Sequence, residues 1–497
     1  MEINRRNFLK KATVATGGIT LSGSFKNLTS SENLKDKPNI LWLIAEDFCP
    51  DIGCYGNTQV KTPNIDKLTS EGVRFTNVFS TAPVCSSSRS AFMTGMYQTT
   101  IGCHQHRTPV RKPLPDNIKV ITDYFREAGY FTSNCSNGDW TKRGKTDFNF
   151  KVEDPFDGTD WRQREPGQPF FSQINFHETH RKFTRDPENP IDPNKIDIPP
   201  YYPDHPVTRR DWANYLESAQ VLDNKIGKIL KRLEEDGLAD NTIVFFFSDQ
   251  GRPHVRGKQF LYDGGIHIPL IIRGPVPIKP GTVVDDLIST IDFAPTCLNL
   301  SGIKVPHYLQ GQIFIGNTKK EREFIAAARD RCDETFDRIR CIRTKQYKYI
   351  RNFFPEFPYT QTNLYKIREY PVLTLMKVLY AQGKLTQDQA HFMAPFRPHE
   401  ELYDLSNDPH EIHNLANDPK YNSILEDLRA QLNEWIKQTK DQGENTESPK
   451  VAADVFLNRH LPWTIKTMGE RGLSTDISPA DYLKWWEKQL FLKRKFK

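Results

Sequence analysis

Two short apolar runs, each closed by acidic or amide side chains, constrain this chain more than any other feature. Pro38 to Ala45 reads P-N-I-L-W-L-I-A and stops at Glu46-Asp47. Thr242 to Phe247 reads T-I-V-F-F-F and stops at Ser248-Asp249-Gln250-Gly251. Runs this short, with no polar residue at alternate places, predict strands buried on both faces, as in parallel sheets. Between them Trp212, Tyr215, Leu216, Ala219, Leu222, Ile226 and Leu233 recur at helical spacing from Asp211 to Asp236, and the pattern ends at Gly237. Strand, helix and strand of this kind predict an α/β fold with a large doubly wound mixed sheet flanked by helices. Ligands of such sheets sit beyond the carboxyl ends of the strands, where both polar pairs fall.

Glu46, Asp47, Asp249 and Gln250 offer four oxygen donors, hard ligands that suit Ca²⁺ or Mg²⁺ and are poor for zinc. Each pair taken alone is equally a set of solvated loop side chains. A third element changes the balance. The run Cys85-Ser86-Ser87-Ser88-Arg89-Ser90-Ala91-Phe92-Met93-Thr94-Gly95 places a cysteine and an arginine four residues apart where a loop enters a helix. Free N–H groups and the positive end of the peptide dipoles can hold an oxyanion such as sulfate there. Arg89, one turn on, faces the same side. On its own the run is also a Ser-rich turn ahead of a helix with a half-buried cysteine.

Taken together these residues resemble the formylglycine-dependent (type I) sulfatases of the alkaline-phosphatase-like superfamily, in the style of bacterial polysaccharide sulfatases. That family oxidises the Cys or Ser of a C-x-[P/A]-x-R…T-G signature to an aldehyde, and Cys85, Arg89, Thr94 and Gly95 stand at the matching places, with Ser87 third. The resemblance implies that Cys85 becomes 3-oxoalanine (formylglycine). It implies one Ca²⁺ per chain, with Mg²⁺ second, on Glu46, Asp47, Cys85, Asp249 and Gln250. Glu46 and Gln250 replace the more usual Asp and Asn and lengthen each arm by one methylene. Gly144-Lys145-Thr146-Asp147 resembles the family's G-K-x-H element, which makes Lys145 a sulfate ligand and puts Asp147 at the usual histidine. Phe170 to Phe176 reads as a strand, and His180 beyond it matches the family histidine, with His177 a bystander. Gly257 to Gly265 resembles the K-x-x-x-Y-E-G-G element and implicates Lys258; His254 and Arg181 are further candidates for substrate contact.

The implied chemistry explains these residue types. A hydrated formylglycine carries two hydroxyls on one carbon: one attacks sulfur as the ester alcohol leaves, and the other then expels sulfate and restores the aldehyde. Lys145, Lys258 and the metal neutralise the sulfuryl oxygens, Arg89 orients the hydrate, and His180 protonates the leaving oxygen or holds sulfate. The expected substrate is a sulfated glycan, such as an algal ulvan-like polymer or a glycosaminoglycan. N-sulfated glucosamine and a phosphodiesterase or phosphonate hydrolase of the same superfamily are the alternatives. A two-metal phosphoryl site calls for additional histidine ligands, and a non-catalytic glycan-binding relative would be expected to lose Cys85, Arg89 or the metal pairs.

Arg5-Arg6 followed by Phe8-Leu9-Lys10 and a modest apolar run resembles a twin-arginine export signal over residues 1–30, cleaved near residue 24. It implies a periplasmic enzyme, or a secreted one, that meets a formylglycine-generating maturase. No later run approaches the roughly 18 apolar residues of a membrane span, and mean hydropathy is −0.63. The net charge of +6 is too diffuse to argue for nucleic acid and suits an anionic substrate. Eight cysteines in an exported chain permit disulfides, Cys49–Cys54 and Cys332–Cys341 being nearest in sequence. The catalytic domain is expected over 36–340 and a smaller α+β substrate-contacting subdomain over 341–497. The latter would hold a strand at 342–350, a hairpin from Glu401 to Leu415 and a final helix from Ile424 to Lys440. The charged cluster of Arg329, Asp330, Arg331, Asp333 and Glu334, and Trp463, Trp485 and Trp486, are equally salt bridges and core aromatics or glycan contacts.

Overall fold

The computed structural model describes residues 37–492. The twin-arginine segment, its cleavage site and the basic tail from Lys493 lie outside the described residues. Eight strands form one mixed sheet: β1 (Asn39–Ala45), β2 (Val73–Phe79), β3 (Phe131–Ser136), β4 (Asp139–Arg143), β5 (Phe170–Phe176), β6 (Thr242–Ser248), β7 (Leu270–Arg273) and β8 (Val283–Ser289). Their order is β8-β2-β7-β6-β1-β5-β3-β4. β1 runs parallel to both neighbours, with Ile44 opposite Asn175 and Phe247. β7 runs antiparallel between β2 and β6, and β4 closes the other edge antiparallel to β3.

Every residue of β1 is buried, as a strand covered by helices on both faces must be. Alternate side chains feed two cores. Leu41 and Leu43 pack with Leu216 and Leu222 of the long helix Pro206–Glu235. Ile40, Trp42 and Ile44 pack with Phe92, Phe125 and Phe293 on the other face. The Trp42 ring meets Phe171 and Phe247 edge-on at centroid distances of 5.0 and 5.3 Å. The long helix begins ahead of its apolar period, because His205 caps it through Val207 N and Pro206 occupies the first turn.

A second sheet of four antiparallel strands follows: β9 (Ile325–Arg329), β10 (Ile339–Arg343), β11 (Tyr347–Asn352) and β12 (Glu400–Asp404). It starts ahead of the boundary expected at 340. The stretch 342–350 is two strands and a turn, because Thr344 N donates to Tyr347 O at 2.8 Å and folds the chain back. Nor does Glu401–Leu415 form a two-stranded hairpin. A loop returns from β12 so that Asn414 Oδ1 accepts from Leu402 N and Leu415 N donates to Leu402 O. Helix Asn422–Gln438 lays Leu425, Leu428, Leu432 and Trp435 on this sheet, but it is not the last helix. Pro449–Val455, a π-helical turn at Phe456–His460, Leu461–Glu470 and Pro479–Phe491 follow.

All eight cysteines are free. Cys49 Sγ lies 3.4 Å from the Gly264 carbonyl, and Cys341 sits mid-strand opposite Ala327 and Ile350, so neither short-range disulfide closes. No helix among the described residues is long and apolar enough to cross a membrane.

Gly251, directly after Gln250, has no room for a side chain: a Cβ would lie 2.4 Å from Gly264 O and 2.6 Å from Gly265 C. Gly251→Ala should therefore cost about 1–3 kcal/mol in chemical unfolding. Gly469→Ala, where a Cβ meets nothing within 4 Å, should cost nothing.

Candidate active site

Extended backbone at Val84 (φ −146°, ψ 141°) turns directly into the helix Cys85–Thr94, so Cys85 is its first residue. The whole helix is buried, and its N–H end acts in a low dielectric. Cys85 Sγ lies 3.4 Å from Lys258 Nζ, 3.4 Å from Gln250 Nε2 and 3.7 Å from Asp47 Oδ1. Burial pushes the Cys85 thiol up, against the pull of Lys145 and Lys258. Unmodified, it is a neutral thiol at pH 7 and a poor nucleophile.

The ends of β1 and β6 are stitched together. Asp249 N donates to Ala45 O at 3.1 Å, and Asp47 N donates to Asp249 Oδ1 at 3.0 Å. Asp47 takes a left-handed backbone (φ 55°). Lys258 Nζ donates to both Asp47 oxygens at 2.9 and 2.7 Å, and Gln250 Nε2 donates to Oδ1. Burial alone would raise the Asp47 carboxyl, but Lys258 and His180 hold it below its usual range. Glu46 accepts from Lys145 Nζ at 2.9 Å; burial raises it, and Lys145 and Arg89 outweigh that and bring it down to about 2. Arg89 donates from Nε to Asp249 Oδ2 at 3.0 Å and from Nη1 to Asn175 Oδ1 at 2.6 Å, while Nη2, without a hydrogen bond, lies at ion-pair distances of 2.9 Å from Asp249 Oδ2 and 3.8 Å from Glu46 Oε1.

His180 Nδ1 lies 2.6 Å from the Arg181 carbonyl, which only accepts, so Nδ1 carries the proton. Its Nε2 then offers a lone pair toward Asp47 Oδ2, 3.7 Å away. Burial and Lys258 lower the imidazole pKa, so His180 is a base until it has taken a proton. Asp147, at the family's histidine position, accepts from Arg107 Nε (3.0 Å) and Nη2 (2.8 Å), and its Oδ2 lies 3.7 Å from Lys145 Nζ. An acid–arginine pair therefore stands where the resemblance to the G-K-x-H element leads one to expect an imidazole.

Glu46, Asp47, Cys85, Arg89, Lys145, His180, Asp249, Gln250 and Lys258 thus converge on one place. His254 and Arg181 do not join them. His254 is caged by Trp212 and Tyr215 at centroid distances of 4.3 and 5.0 Å, and Arg181 is buried on Asp211 at 2.8 and 2.6 Å. Both therefore pack between the helix Pro206–Glu235 and the loop after β5. Among the described residues the His177 ring meets Asn137, at 3.0 Å, away from the others. Sequence reasoning passed over Asn175, two residues before His177 on β5, and Asn134 on β3, which accepts from Asn175 Nδ2 at 2.7 Å. No pattern marks them, since Ser172 and Gln173 share β5 with Asn175, and Thr132, Ser133 and Ser136 share β3 with Asn134. For a cation the donor set fits: Gln250 Oε1 is buried with no hydrogen-bond partner, an orphaned acceptor among carboxylates already held ionised.

Such a site, at the carboxyl edge of a doubly wound sheet, defines a hydrolase that transfers a tetrahedral oxyanion. The sequence model of the sulfatase family matches residues 38–303, and that of the N-sulphoglucosamine sulphohydrolase C-terminal region matches 254–394. This chain belongs to the sulfatase family, and is a sulfuric ester hydrolase. It is 36% identical to an ulvan-active sulfatase of Formosa agariphila over 84% of this chain and 78% of that one. Two solved structures share the fold. One is BT4656 in complex with its substrate D-glucosamine-2-N,6-O-disulfate (TM-score 0.58, 19% identity, 82% of this chain and 98% of that one). The other is the phosphonate monoester hydrolase of Agrobacterium radiobacter (TM-score 0.61, 18% identity, 81% and 96%).

Two outcomes follow from the ion pairs. Arg89→Ala leaves the Asp249 carboxylate buried without its partner and should lower stability by about 3–5 kcal/mol in denaturant titrations; Arg89→Lys, whose single ammonium does not span Asp249 and Asn175 as the guanidinium does, should recover only part. Burial opposes ionisation of Asp147, yet Arg107 and Lys145 hold it well below its ordinary value. Its stabilising contribution is complete above the unfolded pKa, about 3.9, and is lost as pH falls toward the lower folded value. Asp147→Asn should melt lower than the parent at pH 7 and change less with pH below 4.

Proposed function

We propose that this enzyme removes sulfate from a sulfated polysaccharide or its oligosaccharides, with Cys85 converted to formylglycine and a Ca²⁺ ion held by Glu46, Asp47, Asp249 and Gln250. One observation carries the reading: Lys258, Gln250 and Asp47 all address Cys85 Sγ, a thiol that burial keeps neutral. A formylglycine hydrate would put oxygen nucleophiles at that same place. A bound divalent cation would add charge to draw density from the sulfuryl oxygens. The chain's own residues do the rest. Lys258 and Lys145 face the transferring group, Arg89 keeps Asp249 and Glu46 in register, and His180 Nε2 accepts a proton that it returns to the leaving oxygen.

Support for a glycan comes from the ulvan-active Formosa relative, with ulvan-like polymers and glycosaminoglycans the favoured classes. The match to the N-sulphoglucosamine sulphohydrolase C-terminal region favours N-sulfated glucosamine as a second reading. The twin-arginine segment supports export to the periplasm, or secretion, with a maturase acting on Cys85.

Co-expression with a maturase should leave the tryptic peptide Phe75–Arg89 lighter by about 18 Da, the difference between thiol and aldehyde. The same sample should release sulfate from ulvan oligosaccharides or heparin disaccharides and no phosphate from a phosphonate monoester, and Cys85→Ala should release neither. Chelation should abolish turnover, and Ca²⁺ should restore it better than Mg²⁺. Phosphate release in excess of sulfate release would overturn the reading.

A further inference from the structure

Within the charged cluster at 329–334, Arg329 pairs with Asp337, Asp330 with Arg340 and Arg331 with Glu447, all buried except the half-buried Glu447. Asp333 and Glu334 have no such arginine. Among the described residues they belong to the two groups of ligand-type atoms that lie within 4.8 Å of one another: His106, Cys332 and Asp333, and Asp333, Glu334 and His460. Asp333 Oδ1 lies 3.7 Å from His106 Nε2 and 3.5 Å from His460 Nε2, too far for hydrogen bonds, so the three groups face one another without satisfying one another. Neither ring nitrogen of His460 has a hydrogen-bond partner, and neither does Glu334 Oε2, although both side chains are more than nine-tenths buried. His460 closes a π-helical turn, and Asp333 takes a left-handed backbone (φ 53°), two irregular conformations that point donors at one spot.

This wall stands beside the nucleophile. Ser86, next to Cys85, holds His106 Nδ1 at 2.9 Å, and Cys332 packs on Val84. Asn363 Nδ2 reaches Asp333 Oδ2 at 3.4 Å and caps the helix Leu364–Glu369, whose Tyr365 ring lies under Lys258 Nζ at 5.6 Å. Arg107, more than a quarter exposed, lies within electrostatic reach of both Cys85 and Asp333. Burial holds both imidazoles neutral, each with one N–H and one lone pair. Neutral donors and acceptors around a carboxylate are the complement of sugar hydroxyls. The flanking cations Arg107 and Arg459 disfavour a second metal ion there and suit an anionic sugar.

We propose that His106, Asp333 and His460, with Glu334 behind them, form the subsite that grips the hydroxyls of the sugar ring bearing the scissile sulfate. The assignment rests on the glycan reading above and adds the residues that enforce it. An aryl sulfate leaves these polar groups buried and unpaired, which is how a site built for hydroxyls rejects a ligand without them.

The test compares kcat/KM of matured parent, Asp333→Asn and His460→Gln on ulvan oligosaccharide, or on a heparin disaccharide if that is what the parent desulfates, and on 4-nitrophenyl sulfate. Each variant should lower the glycan-to-aryl ratio by about 10–100-fold, the worth of one or two lost hydrogen bonds to a charged or buried group. Equal losses on both substrates, or no change in the ratio, would overturn the proposal. So would one equivalent of zinc in the parent by elemental analysis that disappears in His460→Gln while calcium stays. If Asp333→Asn fails to fold, His460→Gln decides, since that residue arrives on a peripheral helix. A parent that desulfates no glycan but cleaves 4-nitrophenyl sulfate refutes the glycan reading itself, before any variant is compared.

Discussion

Arg89 is the interaction on which the active site depends. In the strand order β5-β1-β6, Asn175 near the end of β5, Glu46 beyond β1 and Asp249 beyond β6 arrive at one level, and the buried guanidinium meets all three. Two carboxylates this close in a dry interior repel each other strongly unless a cation lies between them. The helix that supplies Arg89 begins with Cys85, so the same turn that neutralises the strand ends also places Cys85 at the positive end of the helix. Desolvation makes such an ion pair a weak source of net stability. What it contributes is register between the acid-bearing strand ends and position 85.

Strain gathers around the same place. Asp47, Arg107, Asp147, Gln259 and Asp333 are non-glycine residues with left-handed backbone, and each stands in or beside the site. Conformations of this kind persist only where surrounding contacts over-determine them. For Asp47 those contacts are Lys258 on the carboxylate and the bond from its own N–H to Asp249. For Arg107 and Asp147 they are each other, through a two-point fork.

The sheet, and the meeting of Cys85 and Arg89 with the acid-bearing strand ends, were legible in the sequence because each rests on a local pattern. Buried parallel strands leave unbroken apolar runs, and a helix that starts at their carboxyl ends leaves a cysteine and an arginine one turn apart. Lys145, His180 and Lys258 were found through resemblance to known elements, not through any periodicity of their own. His254 and Arg181 misled because nearness in the chain to a site residue says nothing about which way a side chain turns; both enter the core beside Asp211. The meeting of Asp333 with His106 and His460 was invisible, since two loops and a helical turn far apart in sequence come together only after the second sheet docks. The strand expected across 342–350 failed for a smaller reason: Thr344-Lys345-Gln346 reads as strand but closes a turn through one backbone hydrogen bond.

Charge in this site is sorted by depth. Asp47 and Asp249 are wholly inaccessible, whereas the side chains of Lys145, His180 and Arg107 retain 21, 24 and 28% of their exposure. An approaching anion therefore meets cations and a polarisable imidazole first, and the acidic floor only through the lysines that already cover it. A rim of this sign concentrates sulfated ligands at the mouth through long-range attraction. The rim does not distinguish one sulfate from another. On the proposal above, discrimination comes from groups that are left unsatisfied when the wrong molecule binds, and the unpartnered buried atoms near Cys85 include those of His460 and Glu334 as well as Gln250 Oε1. On the proposed subsite, affinity for the anion and selectivity for the alcohol that carries it would reside in different parts of the chain, the first on the edge of the large sheet and the second on the segments that close over it.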